Sequence, residues 1–378
     1  MLTPLFLYVR LFSFMSKFHY KPFNTVKKII NFFKNYGIQI IIFLLILTNV
    51  SYAKIYTVKD IQIIEPFDLN FKKTIVIEKA FISAFDQLVA KTVSSENHEK
   101  AITKNINIIK PMIDSFFINN EKFKDNFYSA EFEVIFDKRK ILNHFNSLNI
   151  VSSSPKKIKI LFIPILVNIN NNEALMFNEN NFYLSWNSLQ KSQFLINYTL
   201  PSEDLEDFSF INSNIKNIEN YSFEEIISKY NKDNYIISIF FLNKGNIKVL
   251  SKIKFNNNMS IVRSNFKNFD INNNENIIDV IKNLKIKYEN IWKKENEINT
   301  EIKLPITLSI DSKNFELIKL IEKKFLLSDL VYDFRIEKFD SSLRLYRIIY
   351  NGPPDKFLND FSDNNIKVDT SSRVWKIK

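Results

Sequence analysis

The chain has 378 residues, of which 46% are hydrophobic and 25% are charged, so it can fold into two or three domains. Its net charge is +11, but six basic residues lie before residue 54, and the remaining 46 basic and 41 acidic residues give only +5, which argues against nucleic acid as a partner. The absence of cysteine excludes disulfides, thiolate metal ligands, a cysteine nucleophile and a lipid-modified cysteine.

Residues 1–53 have the pattern of an export signal. They contain no acidic residue, and they end in a mostly apolar run from Ile38 to Val50. This run is shorter than the ~20 residues that a helix needs to cross a bilayer, so a cleaved signal peptide fits it better than a permanent span. Small residues at positions 51 and 53 predict cleavage between Ala53 and Lys54. The chain from Lys54 onward is therefore expected in the periplasm.

Two alternatives concern this leader. An uncleaved leader would anchor the protein in the inner membrane facing the periplasm. The sequence indicates no other contact with a membrane.

The basic region ahead of the apolar run is also long, and its first fourteen residues add little to an export signal. We therefore hypothesise that translation begins at Met15.

After the leader, the sequence predicts three small mixed domains of the α+β or α/β class, at 54–151, 156–297 and 300–378. The first begins with a β-branched strand ended by Pro66. Apolar residues then recur at helical spacing from Phe71 to Val89. Further helical pattern, broken near Pro111, is expected at 98–118, then a strand at 128–136 and a helix capped by Asp137. The polar segment Ser152–Pro155 is predicted to be a linker.

The second domain opens with a nearly continuous apolar strand at 158–167, as expected where both faces of a sheet are covered. A helix is predicted at 222–230, strands at 235–242, 247–255 and 259–266, and an amphipathic helix at 276–292.

The third domain has the predicted order βαββαβ, a ferredoxin-like arrangement. The fold supports many functions and implies none of them. Its elements are expected at 302–310, 315–326, 331–339, 342–350, 355–361 and 366–377.

Residues that could carry chemistry are few. Three glycines in the whole chain exclude the phosphate-binding and nucleophile-elbow motifs, which need paired glycines. His98 and His144 lack partners at the spacing of metal ligands. The acidic residues of the segment 203–207 could bind calcium, but a solvated turn with helix-capping carboxylates is favoured. The sequence predicts no catalytic, cofactor-binding or metal-binding residue.

An aromatic group in an Asn-rich loop is the best candidate for binding. Phe182, Tyr183 and Trp186 could form a contact patch for an envelope protein or a glycan. The alternative is that Trp186 fills the core of its own domain, because large apolar side chains are usually buried.

Eight segments spaced through the chain form a pattern: 84–92, 132–137, 163–166, 174–177, 182–186, 201–207, 350–352 and Trp375. This pattern resembles a proteobacterial family of envelope proteins catalogued as a domain of unknown function, number twenty sixty-six. Two departures are visible: Lys91-Thr92-Val93-Ser94 stands where the family tends to have Arg-Leu-Thr-Gly, and a second tryptophan expected ahead of Trp186 is missing.

The resemblance implies an exported, non-catalytic envelope protein. Together with the leader, it predicts a binding or assembly factor in the periplasm. Two other classes stay open: an exported enzyme without a recognisable motif, and a scaffold anchored in the inner membrane by an uncleaved leader.

Overall fold

The computed structural model describes residues 56–188, 194–256, 258–300, 302–362 and 366–377. The predicted cleavage site at Ala53 and Lys54 and the proposed start at Met15 lie outside these ranges. The segment from Lys54 to Lys378 forms one compact unit of mixed α+β structure. Among the described helices, none combines the length and the apolar character needed to span a bilayer.

The first sheet is antiparallel, with the strand order β1-β3-β2. One face packs against the long helix α1, whose apolar stripe is buried as predicted at Ala80, Ala84, Phe85 and Leu88, whereas Ile75 near its start is exposed. These elements are β1 (Thr57–Pro66), α1 (Lys73–Thr92), α2 (His98–Ala101), α3 (Ile106–Ile109), β2 (Ile113–Lys124), β3 (Phe127–Phe136) and α4 (Lys138–Ser147). Asp137 caps α4 as predicted, because its carboxylate accepts from the backbone N–H groups of Arg139 and Lys140.

The helical prediction for 98–118 is wrong in its second half. Two short helices occur there, but the chain extends from Ile113 onward and pairs with β3 as far as Lys124. The periodicity that resembles a helix is overridden because pairing with β3 satisfies the backbone hydrogen bonds along the segment.

The second sheet has the strand order β10-β9-β8-β5-β6, and β7 also pairs with β5. Strand β5 is parallel to both β7 and β8 and has buried clusters on both of its faces, as its apolar sequence predicts. The strands are β5 (Ile158–Asn168), β6 (Glu173–Leu175), β7 (Ile196–Thr199), β8 (Tyr235–Asn243), β9 (Asn246–Phe255) and β10 (Asn258–Lys267). The helices are α5 (Asn181–Ser185), α6 (Leu205–Ser213), α7 (Glu224–Lys229) and α8 (Asn274–Glu295).

The segment predicted as a polar linker is buried. Ser152 and Ser153 form the short strand β4 (Ser152–Ser153), which pairs with β11 (Glu297–Ile298). The polar side chains are tolerated inside because their hydroxyls find partners: Ser153 Oγ donates to the carbonyl oxygen of Thr92 over 3.1 Å, and Ser154 Oγ bonds the carboxylate of Asp329.

The third sheet has the order β13-β14-β12-β16-β15. It is formed by the last five strands in the described part of the chain. The predicted last strand, 366–377, is instead two short antiparallel strands, and the second of them lies parallel to β12. The elements are β12 (Leu304–Asp311), α9 (Phe315–Leu327), β13 (Val331–Phe339), β14 (Leu343–Tyr350), α10 (Pro354–Ser362), β15 (Val368–Asp369) and β16 (Trp375–Ile377).

Candidate functional site

The predicted aromatic contact patch lies mostly inside the protein. Phe182 and Trp186 are fully buried, because α5 packs on the sheet and places these rings against Phe240 at 4.0 Å and Phe162 at 3.8 Å between centroids. Tyr183 is half-buried and donates its hydroxyl to the carbonyl oxygen of Pro201. The group cannot form an exposed contact patch. The alternative, in which Trp186 fills its own core, agrees with the burial.

The acidic turn before α6 is organised around a lysine. Asp204 caps the helix by accepting from two backbone N–H groups. The ammonium of Lys229 lies 3.1 Å from Asp204, 2.7 Å from Glu206 and 2.7 Å from Asp207, and its hydrogen bond holds the pKa of Asp204 below its usual value. A lysine thus occupies the position that a bound cation would take. Within the described ranges, no three His, Cys, Asp or Glu side chains are placed to hold a metal ion.

A pocket of about 270 Å³ lies between α8 and the region where α1 ends and α2 begins. We call it the junction pocket. Its polar lining includes Ser95, His98, Glu289, Asn290 and Lys293. Its volume is at the lower limit of pockets that hold small ligands, which is about 300 Å³.

A row of charged side chains from α8 enters the interior beside this pocket. Lys285, Glu289 and Lys293 are spaced four residues apart, so they share one face of the helix. All three are buried. We call them the polar row.

Each member of the polar row contacts the backbone of another element. Lys293 Nζ donates to the carbonyl oxygens of Ala90, at 2.6 Å, and Val93, at 2.8 Å, where a cation complements the carboxyl end of α1. Glu289 accepts from the backbone N–H groups of Leu195 and Ile196. Lys285 Nζ donates to the carbonyl oxygen of Trp186 over 2.7 Å. The polar row therefore joins α8 to three separate segments.

Burial has shifted the ionisation of these groups. It raises the pKa of Glu289 and lowers the pKa of Lys293, and it lowers the pKa of Lys285 to about 8.

In the junction pocket, Ser95 N donates to Asn290 Oδ1, and Asn290 Nδ2 donates to Ser95 Oγ. Ser95, Asn290, Glu289 and Lys293 already bond one another or the backbone, and His98 lies 3.7 Å from Asp86. The pocket is therefore better explained as a joint than as a reaction site.

A half-buried lysine connects α4 to the start of β13. Lys138 Nζ donates to the carbonyl oxygens of Ser328 and Val331, each over 3.0 Å. Burial lowers the pKa of Lys138 to about 8 and raises the pKa of the neighbouring Asp329. These contacts also hold elements together and leave the lysine engaged.

The end of the first sheet, where β1 ends and a turn joins β2 to β3, differs most from these joints, because it exposes apolar side chains to solvent. The turn is formed by Asp125 and Asn126, both with positive φ, which is the geometry of a tight hairpin. Phe67 N donates to the carbonyl oxygen of Asn126 over 2.7 Å and so ties the loop after β1 to the hairpin.

Four apolar side chains are exposed at this end: Phe67, Leu69, Phe123 and Phe127. Leu69 is fully exposed, and the exposed fraction of Phe123 is 58%. Four exposed lysines surround them, at positions 72, 73, 122 and 124. We call these eight residues the aromatic tip.

Contacts between aromatic rings hold the aromatic tip in place. Phe67 contacts Phe71 and Phe123 at 4.9 and 5.0 Å between ring centroids, and Phe123 contacts the buried Tyr128 at 5.0 Å. The exposed rings are therefore held in place from below. Sequence reasoning missed this surface because it assigned part of β2 to a helix. The Asp-Asn pair between Phe123 and Phe127 was the available signal for a hairpin.

No protein-family model matches the chain, and a search of curated proteins found no similar protein.

Proposed function

We propose that this protein is exported and acts as a non-enzymatic binding or assembly factor in the periplasm, with the aromatic tip as its contact surface. The leader supports export, and the resemblance to the envelope family numbered twenty sixty-six supports the class. We also propose three domains at 54–151, 156–297 and 300–378, the last a ferredoxin-like variant whose closing strand is split in two.

The observation that carries the proposal is the exposure of the aromatic tip. Large apolar side chains grouped on a surface mark interaction sites more often than single ones do. Leu69 and Phe123 are exposed, although the same sheet buries a complete row of apolar residues under α1. Polar groups elsewhere that could serve catalysis, such as Glu289 and Lys293, are bonded to the backbone.

Cell fractionation and in-cell crosslinking together test the proposal. The full chain is expressed in a bacterial host that has a periplasm, with a photo-crosslinking amino acid at position 69 in one strain and at position 205 in the other. Leu205 is a matched control, because it is an exposed leucine (85%) outside the first sheet.

We expect the recovered protein to begin at Lys54, to fractionate with the periplasm, and to give a discrete adduct from position 69 only. A cytoplasmic protein that retains the leader would contradict export. Equal adducts from positions 69 and 205 would contradict the assignment of the aromatic tip.

A further inference from the structure

We infer that the aromatic tip docks on the surface of an anionic lipid bilayer. This inference rests on the proposed function only in using the same contact surface, since docking on lipid does not require export. It adds a membrane contact that does not depend on the leader.

The arrangement of the apolar side chains favours a bilayer over a protein groove. They project from a hairpin turn and from the loop after β1, at one end of a sheet. Phe67 and Phe127 are each about half exposed, and Leu69 touches almost nothing. Side chains that project in this way can enter the boundary between headgroups and acyl chains, where leucine and phenylalanine gain most from burial.

The lysines of the aromatic tip complement anionic headgroups. Lys72, Lys73, Lys122 and Lys124 are exposed, and their long stems let the ammonium groups reach phosphates while the apolar neighbours insert. Basic residues beside a membrane are attracted to its negative surface potential, and salt weakens this attraction.

Four acidic residues also lie at this end, and all of them are engaged. Glu65, opposite Tyr128 in the sheet, pairs with Lys79 at 2.6 Å. Glu121 pairs with Lys73 at 2.6 Å, and Asp68 accepts from the backbone N–H of Asn70, which shapes the loop. Asp125 lies 3.8 Å from Lys124 in the hairpin turn. With Lys79 counted, five lysines at this end exceed the four acidic groups by one, so we expect apolar insertion to dominate and charge to select anionic lipid.

The ring contacts under the aromatic tip lower the entropy that is lost on docking. Phe71 and Tyr128 hold Phe67 and Phe123 in position, so little side-chain freedom remains to be lost on binding. Strand β1 separates the aromatic tip from Tyr56 by ten residues, or roughly 30 Å. Docking at the tip is therefore a different contact from any that involves the chain near residue 56.

Vesicle flotation tests the inference. The compact unit from Lys54 onward contains all the buried clusters described above, so it is purified without the leader. It is mixed with vesicles of equal parts phosphatidylglycerol and phosphatidylcholine, or of phosphatidylcholine alone. The test variant is Leu69→Ser with Phe123→Ser. The matched control is Leu205→Ser with Phe315→Ser, which also removes an exposed leucine and an exposed phenylalanine.

We expect the wild type and the control to float with anionic vesicles, and the tip variant to bind them at least about tenfold more weakly. Lys122→Gln with Lys124→Gln should reduce binding severalfold at low salt and less at high salt. Thermal unfolding midpoints confirm that each variant is folded.

Failure of the wild type to bind anionic vesicles would overturn the inference, as would equal binding by the tip variant or no preference for anionic lipid. These outcomes are separate from the proposed function. A protein adduct from position 69 in cells, with no vesicle binding, would keep the binding role and remove the lipid. Vesicle binding by a protein that stays in the cytoplasm would keep the lipid contact and remove the periplasmic role.

Discussion

The polar row and the aromatic tip use similar residues for opposite purposes. Both combine lysines with aromatic neighbours: Lys285 lies 5.5 Å from the ring of Trp186, and Lys72 follows Phe71 in the loop after β1. In the polar row every charge bonds the backbone of another element, whereas the apolar side chains of the aromatic tip face outward. Residue type alone therefore does not identify a binding surface. The distinguishing property is whether the groups are already engaged.

The largest expected effect follows from replacing the buried aromatic residue that the sequence offered for binding. Trp186→Ala should lower the free energy of unfolding by about 4 kcal/mol, because it removes a large ring stacked on Phe162. Leu184→Ala, at an exposed position two residues away, should change it by less than about 0.5 kcal/mol. Urea unfolding followed by circular dichroism measures both. Similar costs at the two positions would mean that Trp186 does not belong to the core.

The polar row predicts the next largest effect. Lys293→Met should lower the free energy of unfolding by about 3 kcal/mol, because it leaves the carbonyl oxygens of Ala90 and Val93 without the ammonium donor and removes one of the two cations near Glu289. The adjacent lysine gives the control: Lys294→Met removes an exposed side chain and should cost less than about 0.5 kcal/mol. If both variants unfold at the same urea concentration, the polar row is not a joint.

A pH dependence tests the joint formed by the half-buried Lys138. The pKa of Lys138 is about 8 in the folded protein and 10.5 as its ordinary value, so the unfolded chain binds more protons between these limits. Stability should therefore rise with pH from 8 to 10.5 as Lys138 loses its proton. Relative to Lys138→Met, the wild type should gain on the order of 1 to 3 kcal/mol across this range.

The control for this pH series is Lys122→Met at the aromatic tip, where the lysine is exposed. Urea unfolding is repeated at each pH for the wild type and for both variants. Wild-type and Lys138→Met curves that run parallel from pH 8 to 10.5 would show that burial of Lys138 does not set this dependence.

The aromatic tip itself predicts the smallest change in stability. Leu69→Ser should alter the free energy of unfolding by less than about 0.5 kcal/mol, because the side chain is fully exposed. The same substitution should weaken binding to anionic vesicles. A large loss of stability would show that Leu69 contributes to the fold. It would then not be an exposed side chain available for binding.

The spacing of apolar residues was sufficient to predict helices and strands that pack against the core. The stripe of α1, the continuous apolar strand β5 and the amphipathic helix α8 occur near their predicted positions because their spacing is set by burial. Strand β2 was missed because its pairing with β3 is a contact between distant residues that periodicity does not contain.

The candidate surface was missed for the same reason. Phe67 and Phe123 are more than fifty residues apart in sequence and become neighbours only through the sheet. At Trp186 the sequence left a contact patch and burial in the core as alternatives, and the structure agrees with burial, which follows from the packing of α5, capped by Asn180, on the sheet. Exposure of an aromatic side chain depends on the packing of its element, which composition does not specify.

The most direct test of the central claim uses the absence of cysteine, since a single introduced cysteine is a unique labelling site. An environment-sensitive fluorophore is attached in Leu69→Cys and, for comparison, in Leu205→Cys, and anionic vesicles are then added. We expect a blue shift and protection from an aqueous quencher at position 69, and neither change at position 205. An unchanged spectrum at position 69, or equal changes at both positions, would contradict it.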